Sequence, residues 1–396
     1  MTLQSADATA DTVAAPQFVR EDLLQAARDR TGLSDFGDLW FLEPMDHYIA
    51  AANAEARLTP EGFAGQTEVI VKGLASRLRM VEDIRRHPEI LEERLEVAGI
   101  ILGLPRTGST IFHRLLASAP GMTAIRWFEA QNFAPFPDEE PGNPAGRRAY
   151  AQAMIDGWLH LSPELASIHP LDPDAPDEEI LIIGQMFVST MVEAMTFIPS
   201  FAQWLDTYDQ SRGHEDLKII LKYLQWQDPA RRGCKWILKS PSNLPYTEVA
   251  ARAFPDAVLI MTHRDPLDVV PSYISMECAL YKLNSHHSDA EVAGFWFQRL
   301  AGWMKRFEAA RERIGEDRFI DIDYRQVARE PLRQAERVLA RIGVPIDARI
   351  EAALAEFMAG NTREQRPAHA YSLDRFGLDE PTIAAAFASY RERFIT

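Results

Sequence analysis

The segment Val97-Ala-Gly-Ile-Ile-Leu-Gly-Leu-Pro-Arg-Thr-Gly-Ser-Thr110 constrains the fold of this chain more than any other. Its first residues are a short, continuous apolar run, which suits a strand covered on both faces, as in a parallel sheet. Beyond the turn, Ile111, Phe112, Leu115 and Leu116 are spaced as the apolar side of a helix. A turn that leaves a buried strand and enters a helix aims free backbone N–H groups and the positive end of the helix dipole at one point, where anions bind. Gly103 and Gly108 permit the tight turn and close backbone approach, while Ser109 and Thr110 add hydroxyl donors.

Further strands are expected at Lys235–Leu238, Ala257–Thr262 and Arg318–Ile322, separated by helix-length segments such as Leu244–Phe254 and Ala290–Ile314. Strands alternating with helices imply right-handed crossovers and an α/β layered fold: a central parallel sheet flanked by helices. Ahead of it, residues 1–15 read as a loose tail and 16–96 as a helical extension, with Leu23, Leu24, Ala27, Leu74, Leu78, Val81 and Ile84 on apolar faces. Residues 97–396 form the main domain, in which a Pro-rich loop at Phe133–Pro144 opens a helical insertion at about 133–230.

Composition excludes several classes. A net charge of −16 argues against a nucleic-acid or anionic-membrane surface, so an anionic ligand must meet locally placed positive charge. Cys234 and Cys278 are the only cysteines, too few for a disulfide framework or a zinc cluster, which fits a reducing, cytoplasmic setting. The first twenty residues are polar and alanine-rich, so no signal peptide is expected. The most apolar stretch, Ile180–Leu205, is interrupted by Gln185, Glu193, Pro199 and Gln203; it reads as buried in protein rather than as a membrane span.

In nucleotide triphosphatase loops a lysine follows the second glycine, whereas here that position is Ser109 and positive charge comes from Arg106 within the loop. No aspartate suited to Mg²⁺ follows a second apolar strand. A sulfuryl group carries less charge than a terminal phosphoryl and can be transferred without a metal. A second constellation lies in His263-Arg-Asp-Pro-Leu-Asp-Val-Val-Pro-Ser272, where an apolar strand ends in Arg264 and Ser272 follows two turns along a helix that Pro266 starts. Arg264 suits bidentate contact with a phosphate. By themselves these letters also fit a helix cap and a surface arginine.

Together the two segments resemble the sulfotransferase superfamily that uses 3′-phosphoadenosine 5′-phosphosulfate (PAPS), in the bacterial branch with a Pro-Arg-Thr-Gly-Ser-Thr loop, related to tyrosylprotein sulfotransferases. The resemblance runs from about Val97 to the end of the sequence and implies sulfuryl transfer to an acceptor hydroxyl or amine. It implies that Arg106, Thr107, Gly108, Ser109 and Thr110 hold the phosphosulfate end, that Arg264 and Ser272 hold the 3′-phosphate, and that Tyr324 lies near the adenosine. It also implies that Lys239, in Leu-Lys-Ser-Pro241, contacts the transferring group. Arg366 and His369, in the segment Arg363–Gly377, resemble the branch's loop that approaches the donor, although the Arg-Lys-Gly element of cytosolic enzymes is absent.

Transfer to a hydroxyl needs a general base within hydrogen-bond reach of the nucleophile. Glu129, in Ile-Arg-Trp-Phe-Glu-Ala-Gln131, resembles the family's glutamate base. The second candidate, His169 in Ile-His-Pro-Leu-Asp172, has the better unperturbed pKa. Met186, Phe187, Met191, Met195, Phe197, Phe201 and Trp204 suit core packing first and an apolar acceptor cavity second. In the cavity reading the acceptor is a small apolar alcohol or phenol. The helical extension is compatible with a lid, a homodimer surface or one wall of that pocket. Two other functions fit the anion loops: a P-loop kinase or nucleotide hydrolase, and a non-catalytic nucleotide-binding protein.

Overall fold

The computed structural model describes residues 16–140, 142–161, 171–361 and 373–395. The expected tail, residues 1–15, lies outside them. Among the described residues one sheet has five strands, β1 (Val97–Leu102), β2 (Met122–Thr123), β3 (Lys235–Lys239), β4 (Val258–His263) and β5 (Phe319–Asp323), all parallel in the order β2-β3-β1-β4-β5. The apolar runs of the sequence have a plain cause. In β1, Val97, Ile100 and Leu102 enter one core and Ala98 and Ile101 the other. Trp236 and Leu238 divide from Ile237 in β3, as Leu259 and Met261 divide from Val258 and Ile260 in β4. A strand with two buried faces has no place for polar alternation, and each fully buried Leu or Ile side chain contributes about 1.5–3 kcal/mol.

Ahead of the sheet lie α1 (Arg20–Thr31), α2 (Leu42–Glu55) and α3 (Pro60–Arg86). Helix α3 starts where Thr59 accepts a hydrogen bond from the Gly62 amide and Pro60 fills the first turn. Leu23, Leu24, Ala27, Leu74 and Leu78 are all buried, in the same core as Val97 and Ile100. The N-terminal helices therefore share the hydrophobic interior of the sheet.

Helix α4 (Ser109–Ala117) follows the loop after β1. Between β2 and β3 run α5 (Trp127–Gln131), α6 (Ala145–Leu161), α7 (Ile180–Gly184), α8 (Thr190–Met195), α9 (Pro199–Leu205) and α10 (Ser211–Gln227). Helical structure thus begins ahead of residue 133, because the Glu129 carboxylate reaches back to accept from the Arg126 backbone N–H at the start of α5. The apolar stretch from Ile180 is cut into α7, α8 and α9 by the Ser189 cap and by Pro199 at the first turn of α9. No described helix is long and apolar enough to cross a membrane. Met186, Phe187 and Phe201 are buried in the main core, Phe187 against the Tyr48 ring at 5.4 Å. The cavity that touches Met186 has a volume of about 10 Å³, room for a single water.

Helix α11 (Thr247–Ala253) joins β3 to β4, and α12 (Pro266–Asn284) and α13 (Asp289–Ile314) join β4 to β5. After β5 come α14 (Tyr324–Arg329), α15 (Pro331–Arg341), α16 (Ala348–Ala359), α17 (Glu380–Ala386) and α18 (Ala388–Phe394). One sheet face packs on α4, α15 and α16 through Phe112, Leu115, Leu116, Val338, Leu339 and Leu354. The strand order has a functional consequence. β1 is flanked by β3 and β4, so the carboxyl ends of three strands far apart in sequence open on one crevice, the usual ligand position in an open parallel sheet.

Within α12, Glu277 is 1% exposed, its Oε2 has no hydrogen-bond partner, and burial pushes its carboxyl up to about 8. The folded state therefore holds a proton that the unfolded chain releases near the ordinary carboxylate value of about 4.3. That stability is complete below the unfolded pKa and is lost as pH rises through the folded one. Urea unfolding at about pH 5 and about pH 8 should show wild-type stability falling by a few kcal/mol, with a flatter dependence in Glu277→Gln. Equal slopes in the two proteins would reject burial of the neutral acid.

Candidate active site

The loop after β1 is shaped by close approaches. Gly103 has φ +145°, and a Cβ there would sit 2.3 Å from Thr262 Oγ1 and 2.8 Å from the Thr262 carbonyl oxygen. Arg106 is held in the left-handed region at φ 66°, a conformation that costs on the order of 1–3 kcal/mol and survives only where its surroundings enforce it. Part of that enforcement is visible. Thr107 Oγ1 donates to the Leu104 carbonyl at 2.9 Å, Thr262 Oγ1 donates to the Leu102 carbonyl at 2.9 Å, and the two hydroxyls are 2.7 Å apart. The Thr107 hydroxyl, 2% exposed, thus serves the loop itself. Ser109 and Thr110 are partly exposed at the first turn of α4, with Gly108 at the N-cap.

The basic groups converge on this loop from the neighbouring strands. Arg264, just beyond β4, donates from Nη1 to the Arg106 carbonyl at 3.0 Å, and its guanidinium lies 4.4 Å from the centre of the Tyr324 ring. The same ring closes over Gly108, where a Cβ would come within 2.8 Å of it. Arg106 Nε donates to Ser272 Oγ at 3.3 Å, so the loop meets α12 across 166 positions of sequence. The end of β4 is braced from behind. His263 Nε2 lies 2.7 Å from Asp321 Oδ1 and Nδ1 lies 3.0 Å from the Tyr390 hydroxyl, while Arg391 Nε donates to Asp265 Oδ1 at 3.0 Å.

Lys239 ends β3 with its side chain 1% exposed. Its ammonium donates to Thr110 Oγ1 at 3.3 Å and forms a short ion pair with Glu178. The next residue, Glu179, accepts from the Lys239 backbone N–H at 2.9 Å and from Asn243 Nδ2 at 2.5 Å. Burial pushes the Glu179 carboxyl up to about 7, against the opposing pull of those hydrogen bonds. Beneath them His113 is fully buried, and burial, reinforced by the Lys239 charge, holds its ring down at about 3. It is therefore neutral at physiological pH, and its Nε2, 3.1 Å from the Ile237 carbonyl, carries the proton.

The hydrogen bonds of Glu129 go to other groups. The residue is 4% exposed on α5, and Arg231 Nη2 donates to both its oxygens, at 2.8 and 3.0 Å. Oε2 also accepts from the Arg126 amide at 2.8 Å. Its hydrogen bonds thus go to a buried arginine and to the start of its own helix. The alternative base His169 and the C-terminal residues Arg366 and His369 lie outside the described residues. Sequence reasoning did not single out Glu178, Glu179 or His113. Asp177-Glu178-Glu179 directly ahead of an apolar helix reads as an ordinary acidic first turn, and only the contact with β3 reveals more.

Known proteins share the family and the fold of this chain. Residues 100–348 match a family model described as sulfotransferase family. Sulfotransferase STF9 from Mycobacterium avium is 26% identical and superimposes with a TM-score of 0.84, the match covering 98% of this chain and 98% of that one. Sulfotransferase STF1 from Mycobacterium tuberculosis H37Rv is similar in fold, at 24% identity and a TM-score of 0.80 over 94% of this chain and 99% of that one. No curated protein matches the chain.

The Glu129–Arg231 pair has a testable energetic consequence. Arg231→Met leaves a carboxylate buried without its partner and should cost about 3–5 kcal/mol in urea unfolding. The double variant Glu129→Gln/Arg231→Met should lose less than the sum of the two single changes. Additive losses would mean that the two side chains do not depend on each other.

Proposed function

Because the chain belongs to the sulfotransferase family, we propose that it moves a sulfuryl group from PAPS to the hydroxyl or amine of a small apolar acceptor. The observation that carries this reading is the convergence of Arg106, Thr110 and Lys239 at one helix N-terminus, with Arg264 and Ser272 tied to the same loop. In this assignment the backbone amides of Gly108, Ser109 and Thr110, with the Ser109 and Thr110 hydroxyls, cradle the 5′-phosphosulfate. Arg264 and Ser272 hold the 3′-phosphate, and the Tyr324 ring, already stacked on Arg264, offers the adenosine a flat face.

Charge develops on the bridging oxygen as the sulfur leaves it, so fixed donors at that oxygen lower the barrier most. Lys239 and Arg106 supply those donors. Their positions cost little reorganisation, since one is buried on a strand end and the other is locked in the loop. The apolar character of the acceptor rests on a net charge of −16 that disfavours a highly anionic partner.

Calorimetric titration provides the test. Adenosine 3′,5′-bisphosphate should bind without magnesium and more tightly than Mg-ATP, whereas preference for Mg-ATP would reassign the site to phosphoryl chemistry. Lys239→Ala should lower the rate of transfer from labelled PAPS by about 10²–10³-fold with bisphosphate affinity changed only severalfold. An unaltered rate would remove Lys239 from the chemistry.

A further inference from the structure

A sulfotransferase needs a proton acceptor beside the group it transfers; Glu178, Glu179 and His113 lie about Lys239, and Glu129 is the carboxylate that the sequence suggested. Their existing hydrogen bonds separate them. Glu129 has both oxygens on Arg231 and one on the Arg126 amide. Glu179 is 1% exposed and spends one oxygen on the Lys239 amide and the other on Asn243. The proton of neutral His113 is directed at the Ile237 carbonyl, inside the core. Glu178 differs from all three. Its carboxylate contacts Lys239 Nζ, which also reaches Thr110 at the mouth of the anion loop. The Glu178 side chain keeps 16% of its surface accessible, against 5% for Glu129.

From this geometry we infer that Glu178 is the general base that takes the acceptor's proton, a step that rests on the PAPS reading above. An ammonium has three donors. Lys239 can therefore keep Glu178 in place while turning another N–H toward a sulfuryl oxygen. The acceptor oxygen attacks sulfur and forms the new S–O bond as its proton passes to a Glu178 oxygen. The bond between sulfur and the bridging oxygen breaks, and its electron pair stays on the phosphate of adenosine 3′,5′-bisphosphate. Atoms and charge balance with no further reactant.

The mounting of Glu178 is rigid enough for such a task. Its backbone amide donates to Asp177 Oδ1 at 2.7 Å, and the strip before it is fastened to the start of α5. Trp127 N donates to the Ala175 carbonyl at 3.0 Å, Phe128 N to the Pro173 carbonyl at 3.0 Å and Asp177 N to the Ile125 carbonyl at 2.8 Å. From α4, Arg114 Nε donates to the Pro176 carbonyl at 3.2 Å. The helix that carries the phosphate cradle therefore also positions the strip that ends in Glu178.

The test compares wild type with Glu178→Gln, which keeps the shape and can still accept from Lys239. Each is given labelled PAPS with para-cresol, with para-nitrophenol, or with water alone as acceptor. Transfer to para-cresol and to water should fall about 10²–10⁴-fold, while bisphosphate affinity stays within severalfold of wild type, which shows that the variant is folded. Para-nitrophenol, assayed well above its own pKa, is already ionised and needs no base, so its loss should be at least tenfold smaller. An equal loss with both phenols would make Glu178 a holder of Lys239 and overturn the inference, as would a change below fivefold with para-cresol. Failure of the wild type itself to bind the bisphosphate would instead reject the donor assignment.

Discussion

An ammonium buried to 1% exposure is tolerable only with partners, and the Lys239 side chain has found two that belong to different parts of the chain. Thr110 stands at the first turn of the helix after β1, while Glu178 leads the helix α7 in the segment between β2 and β3. The ion pair thus staples the central sheet to its helical insertion at the point where the anion loop opens. Glu179, on the backbone of Lys239 and the side chain of Asn243, fixes the same strand end from below. Removing a partner from such a cluster leaves a charge that water cannot reach, which is why its members depend on one another far more than surface pairs do.

The arrangement also separates two uses of carboxylates. Glu129 and Arg231 form a buried pair, one guanidinium nitrogen reaching both carboxylate oxygens, that joins the start of α5 to the turn before β3. Such a pair gains geometry more than net energy, because desolvation offsets much of its attraction. Glu178 is paired less completely and remains partly accessible. A group that must exchange partners during a reaction has to sit at that intermediate level, committed enough to be placed and exposed enough to be used.

Much of the fold was legible in the sequence because parallel strands with two buried faces leave continuous apolar runs. Val97–Leu102 and Val258–His263 could be read that way, and the glycines of the loop marked the turn between strand and helix. The anion loop was legible for the same reason: its chemistry is local. The meeting of Arg106 with Ser272 spans 166 positions and that of Glu178 with Lys239 spans 61, so neither has a local signature. Glu129 illustrates the limit from the other side. Its place after the loop helix suggested a base, but its surroundings depend on Arg231, 102 positions away in a turn begun by Pro229.

The brace behind β4 has a consequence for the order of events during synthesis. Asp265, directly after the strand end that carries Arg264, is held by Arg391 across 126 positions, and His263 by Tyr390 across 127. Domains fold as units, and both partners lie in α18, the last described helix, so during synthesis the strand end that carries Arg264 gains its support only after that helix has emerged. The alignment of the anion site is therefore a property of the completed domain rather than of the sheet that displays it.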